Sequence, residues 1–303
     1  MKALRAALLA WYRRHGRHDL PWRVARDPYY TLVSEFMLQQ TQVDRVVPIF
    51  QAFVARFPTV AELAEASAAD VLRAWKGLGY NSRAIRLHET AKAVVERYGG
   101  AMPRERHQLR QLPGVGPYTA AAIRTFGFDL DDAPLDVNIR RIVHRLFYGL
   151  EYPAKAQRVE LDARARELAA PGEAHDWNSA MMDLGANVCT ARAPKCLLCP
   201  LRSHCAAAPV DAGMLDAART EHAKPPSPQN AIRFERTTRF ARGRIVDRLR
   251  ALGPGERISL LDLHGELQPL MPERSLEDVS ALVATLERDG LIAREGEAIA
   301  LRD

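Results

Sequence analysis

An all-α protein is what this sequence predicts, on three observations. Segments of helical period follow one another with turns of a few residues, and no strand-like alternation interrupts residues 43–98. Leu112–Ile123, LPGVGPYTAAAI, reads as a helix end, a tight glycine turn and a new helix. All 4 cysteines, Cys189, Cys196, Cys199 and Cys205, crowd into one window, whereas a secreted disulfide scaffold would scatter them.

Taken in order, residues 3–15 form an amphipathic helix offering Leu4, Leu8, Leu9 and Trp11 to a core, and Leu20-Pro21-Trp22 breaks it. Pro28–Leu38 starts with proline and continues as an apolar helix that contains Glu35 beside Phe36, Met37 and Leu38. By pattern alone Glu35 fits a polar surface position as well as a pocket. In a pocket, desolvation raises its pKa and lets it hold a proton near neutrality. Gln39, Gln40, Thr41 and Gln42 then read as a solvated turn. Helices follow at Val43–Phe57, Val60–Ala66, Ala69–Lys76 and Ser82–Tyr98, separated by Pro58, Ser67 and the Gly77/Gly79 turn. Tyr80 sits in that turn, either packed on its own helix or displayed as an exposed aromatic.

Pro113 and Gly114 stop the preceding helix, Gly114 and Gly116 tolerate positive φ, and Pro117 suits a first helical turn. Such a turn is either a plain αα-hairpin or a seat for a phosphate, because its N–H groups and helix dipole point outward. Asp136 is a natural N-cap for an amphipathic helix over Val137–Phe147, a location that favours its ionised form. Glu35 and Asp136 therefore make a pair of carboxyl groups in different settings, one an acid and one a lasting anion. That division of labour suits cleavage of a glycosidic bond.

The 303 residues suffice for two or three domains, and a formal charge of +6 mildly favours a polyanionic partner. The amino-terminal segment has too short an apolar run for a signal peptide, and no run reaches the length of a membrane span. A cytoplasmic protein is expected. A helix over 155–170 and the segment Trp177–Leu184 lead into the cysteine window, spaced C-x6-C-x2-C-x5-C. Four thiolates bind zinc or an iron–sulfur cluster, and their chemistry alone does not choose. Beyond it, Ala206–Glu235 turns to Ala, Pro and mixed polar residues, with Lys224-Pro-Pro-Ser-Pro reading as a linker. Helices at Phe240–Leu249, Ser259–Leu267 and Ser275–Asp289 precede a hairpin turning at Glu295–Glu297, which together suggest a winged helix. Its third helix carries Glu277, Asp278, Glu287 and Arg288, so packing or protein binding suits it as well as DNA reading.

LPGVGPYTAAAI followed by Asp136 resembles the helix-hairpin-helix, Gly/Pro-rich loop and Asp of the DNA glycosylase superfamily that includes endonuclease III. SEFMLQQTQV (Ser34–Val43), GLGYNSRA (Gly77–Ala84) and MMDLGANVCT with PKCLLCPLRSHC (Met181–Cys205) resemble segments of the MutY-type adenine DNA glycosylases. The resemblance spans about residues 20–210. It implies an all-α, two-domain helix-hairpin-helix glycosylase fold, with a six-helix domain at 23–126 and a cluster domain from 1–22 and 127–209. A linker over 210–237 and the winged-helix-like domain at 238–303 would follow.

The implied catalytic residues are Glu35, Asp136, Tyr118 and Asn138. The DNA-contacting ones are Gln39, Gln42, Tyr80 as a wedge between bases, Gly114, Val115, Gly116, Arg192 and Lys195. The four cysteines are expected to hold a [4Fe–4S] cluster that pins the Thr190–Lys195 loop. Lys76, Arg83 and Arg86 are further candidate phosphate contacts.

Three features bear on the expected activity. Tyr118 stands where bifunctional relatives carry the Schiff-base Lys, which implies water as nucleophile. Val137 replaces the glycine of the family's D-G-N pattern, and the tail after the linker is not expected to form the nucleotide-hydrolase-like domain of the long form. The expected activity is removal of adenine opposite 8-oxoguanine or guanine in double-stranded DNA, by a monomer. A thymine or uracil mismatch glycosylase is the nearest alternative, a non-cutting lesion binder the next, and a zinc-stapled transcription regulator the most distant.

Overall fold

The computed structural model describes residues 1–150, 156–221 and 233–303. In chain order the helices are α1 (Lys2–His15), α2 (Pro21–Ala25), α3 (Pro28–Leu38), α4 (Val43–Arg56), α5 (Val60–Glu65), α6 (Ala68–Ala74) and α7 (Ser82–Tyr98). They continue with α8 (Arg106–Leu109), α9 (Pro117–Ala122), α10 (Val137–Tyr148), α11 (Arg158–Leu168), α12 (Ala174–Asn187) and α13 (Ala212–Glu221). The last part runs α14 (Thr238–Arg250), β1 (Ile258–Ser259), α15 (Leu260–Leu267), α16 (Leu276–Arg288), β2 (Ile292–Glu295) and β3 (Ala298–Leu301). The expected all-α body with a small carboxy-terminal sheet is what folds. None of the described helices is long and apolar enough to cross a membrane.

The chain forms two compact units. One comprises Met1–Glu35, Pro103–Gln111 and Val115–Pro225, and the other Phe36–Met102, Leu112–Gly114 and Pro226–Asp303.

In the first unit α1 lies on α12, and α10 packs against α11 and α12. The reason is legible in α10, where Ile139, Ile142, Val143 and Leu146 recur at helical spacing and are all buried. Trp177 and Leu184 of α12 and Leu8 of α1 complete the same core. Two buried carboxylates hold loops to it. Asp183 takes Arg17 and Arg23, with Arg23 Nη1 at 2.8 Å, and Asp132 takes Arg106 and Arg124. After α9 the helix widens into a π turn over Ile123–Gly127, which no propensity rule would have announced.

In the second unit α5 and α6 pack on α7 around Trp75, Leu63, Leu72 and Leu87, all fully buried. Thr59 starts α5 with a reciprocal capping box to Glu62. The carboxy-terminal helices join this unit, with α14 against α15, α16 and α6. The predicted hairpin forms, pairing Ile292 with Leu301, and Gly296 at its turn takes φ +61°. A third strand, β1, adds to its far edge and pairs Ile258 with Ile299. At two residues β1 is too short to leave a period in the sequence. Helix α13 occupies part of the stretch read as linker, and Lys224–Pro228 lies outside the described residues.

Candidate active site

Glu35, Tyr118, Asp136 and Asn138 all belong to the first unit, although the two carboxyls lie 101 positions apart in sequence. Helix α3 supplies Glu35. Its neighbours Leu32, Val33, Phe36 and Met37 are buried, and Glu35 itself is half-buried. Loss of water raises its pKa to about 7; the Tyr118 hydroxyl, donating a hydrogen bond, opposes the rise, and the charge of Asp136 adds to it. Burial, Glu35 and Asp136 push the Tyr118 hydroxyl well above its ordinary value, so it remains a donor. Glu35 is thus a carboxylic acid poised to carry a proton at neutral pH.

Asp136 is the N-cap of α10, as predicted. Its Oδ1 accepts from the backbone N–H groups of Asn138 at 2.9 Å and Ile139 at 2.7 Å, and its Oδ2 from the Asn138 side-chain amide at 2.8 Å. These helix-end bonds favour the ionised carboxylate, as the N-cap position implied. Burial instead moves the pKa of Asp136 upward, and the bonds from Ile139 and Asn138 and the charge of Arg141 work against that rise. Desolvation is the stronger influence because the carboxylate sits under the start of a packed helix rather than at an open one.

A residue the sequence did not single out finishes this arrangement. Arg141 donates to Asn138 Oδ1 at 2.9 Å, to the Gly185 carbonyl at 2.8 Å and, through Nε, to the Cys189 carbonyl at 2.8 Å. A continuous chain of hydrogen bonds therefore joins Asp136 to the first cysteine by way of Asn138 and Arg141. Gly185 explains the glycine in MMDLGA, since a Cβ there would lie 2.7 Å from that of Asn138. The signal available in the sequence was spacing: Arg141 lies three residues past Asn138, on the same helical face.

The predicted DNA-contacting residues fall in both units. Gln39 and Gln42 are exposed, and Gln42 starts α4 without using its side chain as a cap. Tyr80 is half-buried and adopts φ +44°, a left-handed conformation unusual for tyrosine. Of the two turn glycines only Gly114 takes positive φ, +72°, with Phe36 Cζ 3.0 Å from where its Cβ would be. Gly116 is extended, at φ −85° and ψ 179°, as the N-cap of α9. Val115 is buried, so only its backbone is available to a ligand. Arg192 and Lys195 are exposed on the loop between the first two cysteines.

Arg83 corrects an expectation. It is 6% exposed and faces no solvent phosphate. It donates to the carbonyls of Phe36 (2.8 Å), Met37 (3.0 Å) and Gln39 (2.5 Å) at the end of α3, and to those of Leu78 and Gly79 (3.2 Å each). These are carbonyls at a helix end and a tight turn, and that of Gly79 also accepts from the Trp75 indole at 3.2 Å. Burial lowers its pKa to about 10, which leaves it charged at neutral pH.

The four cysteines line one recess of about 310 Å³, counting solvent at its mouth, together with Arg145, Val188, Lys195, Arg202 and Val210. Four thiols around one recess are a donor set that zinc and an iron–sulfur cluster both use. Burial pushes the Cys199 thiol up to about 11, with the other cysteines adding, so a thiolate there requires positive charge in the recess. N–H groups face two of the sulfurs, from Arg145 to Cys189 at 3.5 Å and from Val210 to Cys196 at 3.4 Å. Arg145 also fixes the loop through the carbonyls of Thr190 (2.8 Å) and Ala191 (3.2 Å).

Comparison with known proteins agrees with this geometry. Residues 33–167 match the HhH-GPD superfamily base excision DNA repair proteins, and residues 189–205 match the iron–sulfur binding domain of endonuclease III. The fold is that of a helix-hairpin-helix base-excision DNA repair protein, and its four cysteines hold a [4Fe–4S] cluster. Within that class the chain belongs to the adenine DNA glycosylase family. It is 40% identical over 296 residues to an adenine DNA glycosylase of Mycolicibacterium smegmatis, covering 96% of this chain and 95% of that one. It is 41% identical to one of Mycobacterium tuberculosis, with 96% and 93% covered. The human adenine DNA glycosylase is 42% identical over 68% of this chain but only 39% of its own length. Among solved structures, a thermostable thymine-DNA glycosylase superposes with TM-score 0.62 at 32% identity, over 67% of this chain and 94% of the other. A non-covalent endonuclease III–DNA complex superposes with TM-score 0.55 at 21% identity, over 65% and 90%, a likeness of fold.

Proposed function

We propose that this chain is a monofunctional adenine glycosylase that removes adenine from mispairs with 8-oxoguanine or guanine in double-stranded DNA, as a monomer acting in the cytoplasm. The observation that carries the reading is the Glu35 carboxyl, hydrogen-bonded by the Tyr118 hydroxyl and near Asp136, with burial raising its pKa to about 7. Glu35 in its protonated form donates to the extruded adenine and makes it a better leaving group. As the glycosidic bond breaks, its electron pair leaves with the base and positive charge grows on the sugar. The Asp136 carboxylate, oriented by Asn138, stabilises that charge. Water adds to the sugar carbon and loses a proton, leaving an abasic site. Tyr118 cannot form the imine that a lysine would, which supports water as the nucleophile. The cluster takes no part in this step and serves as a structural staple for the Arg192–Lys195 loop.

DNA contacts are assigned to Gln39, Gln42, Tyr80, Lys76, Arg86, Arg192 and Lys195, and to the backbone of Gly114, Val115 and Gly116, with Tyr80 as the wedge between bases. The division into a six-helix domain over 23–126, a cluster domain from 1–22 and 127–209, a linker and a carboxy-terminal domain belongs to the same proposal. The test is single-turnover excision on duplexes holding A:8-oxoG, A:G, G:T or G:U, with and without alkali. Cuts at adenine-bearing strands only, and only after alkali, are expected. Glu35→Gln and Asp136→Asn should each lower the rate by roughly 10²–10⁴ while retaining DNA affinity. Cleavage at thymine or uracil would transfer the reading to the mismatch-thymine enzymes, the activity named for the solved structure at 32% identity.

A further inference from the structure

Helix α14 carries five arginines, and four of them have an acidic partner. Arg242 pairs with Asp289 at 2.5 Å, Arg244 with Asp247 at 2.6 Å, Arg250 with Asp247 at 2.8 Å, and Arg248 with Glu266. Arg239 is the exception among the described residues. It is exposed, no described carboxylate pairs with it, and its guanidinium carbon stands 3.8 Å from the centre of the Tyr80 ring. That is well inside the range of a cation–π contact. Tyr80 is also the residue held at φ +44°, so a strained backbone aims the ring and Arg239 lies on it.

The same helix grips the turn a second time. Arg250 donates to Asn81 Oδ1 at 2.7 Å and to the Leu72 carbonyl at 2.8 Å, and Arg73 returns a bond to the Leu252 carbonyl at 3.3 Å. Packing alone would not need a cation without a carboxylate partner on this half-buried ring. A guanidinium without a carboxylate partner, beside a ring in a glycine turn, keeps its charge available to a backbone phosphate.

We propose that Arg239 of the carboxy-terminal domain is a positioning residue for Tyr80, and that through it this domain takes part in discriminating the base opposite the excised adenine. Arg239 presses on the ring and meets a phosphate of the opposite strand when the ring inserts. The winged-helix-like domain thereby contributes to recognition although its third helix is acidic. This rests on Tyr80 acting as the wedge, and the experiment separates the two claims.

In the full chain carrying Glu35→Gln, insertion is read as fluorescence of 2-aminopurine placed beside 8-oxoguanine or guanine in the strand opposite adenine. In the otherwise wild-type chain, single-turnover excision is compared for A:8-oxoG and A:G. Arg239→Ala is expected to reduce the fluorescence rise and to change the A:8-oxoG over A:G rate ratio by roughly 3- to 10-fold, the span of a stacked cation–π contact. Arg239→Lys should keep the salt dependence of binding and lose most of the ratio, because ammonium retains charge without a stacking plane. Tyr80→Ala should match Arg239→Ala, and the double variant should add nothing. Arg242→Ala, on the same helix but away from the turn, should leave the ratio unchanged. If Tyr80→Ala leaves ratio and fluorescence intact, the wedge reading fails. If Tyr80→Ala alters them while Arg239→Ala does not, or the two effects add, the role given to Arg239 is overturned.

Discussion

Arg83 and Arg141 are buried arginines in different units, and the comparison between them separates what holds this protein together from what makes it act. Both spend most of their donors on backbone carbonyls at helix ends. Arg83 closes the end of α3 and the Gly77–Gly79 turn, and beyond carbonyls it meets the Thr41 hydroxyl, at 3.2 Å, and the rings of Trp75 and Tyr80. Arg141 closes α12 and the Cys189 carbonyl, but one of its bonds ends on Asn138, whose amide holds Asp136. The same side chain in the same kind of place is a structural rivet in one unit. In the other it is a connection from the cluster loop to Asp136, the carboxylate proposed to act on the sugar.

The largest effect that would break this comparison is on stability. Arg83→Ala strands several buried carbonyls and is expected to cost about 3–5 kcal/mol, read by denaturant unfolding of the full chain. A loss below about 1 kcal/mol would remove Arg83 from the scaffold. Next, Arg141→Gln should lower single-turnover excision by roughly 10- to 100-fold with iron content retained, because Asn138 loses its orienting partner. If activity falls only in proportion to lost iron, the connection is structural, as in Arg83. Gly185→Ala sharpens the point by inserting a Cβ 2.7 Å from that of Asn138, and should cost about 1–3 kcal/mol together with part of the activity.

The smallest expected effect distinguishes Glu35 from Asp136 by pH. With Glu35 as the proposed acid, the rate should decline as pH rises through about 7. Linkage gives a companion prediction. The folded pKa of Glu35 is raised, from the usual 4.5 to about 7, so the native state binds this proton more tightly than the unfolded chain. The associated stability is present below pH 4.5 and lost as pH climbs to about 7. Glu35→Gln should therefore melt near wild type at pH 4 and be more stable by about 1–3 kcal/mol at pH 8, after allowance for partial exposure. Equal melting at both pH values would argue against a buried acid.

Much of this was legible in the sequence because the causes are local. The capping oxygen of Asp136 stands before an apolar stripe at i, i+3, i+4 and i+7, so the cap and the face of α10 follow from spacing alone. Gly114 earned its positive φ from the helix stop at Pro113–Gly114. The four cysteines announced a shared ligand by proximity. The helices of the carboxy-terminal domain and its hairpin turn lay close to where period and glycine placed them.

Tertiary structure decided the rest, because those properties depend on what stands opposite. Nothing in GLGYNSRA says whether its arginine reaches solvent or the end of α3, and burial made Arg83 a scaffold residue. Periodicity could not show that desolvation would outweigh the cap at Asp136, nor that Glu35 would meet Tyr118. Strand β1 gained its hydrogen bonds only from β3, and Arg239 gained Tyr80 only when α14 settled on the second unit. Local chemistry fixed where elements begin, end and face. Desolvation and long-range pairing, which exist only once the chain is packed, set the protonation of Glu35 and the partners of each buried arginine.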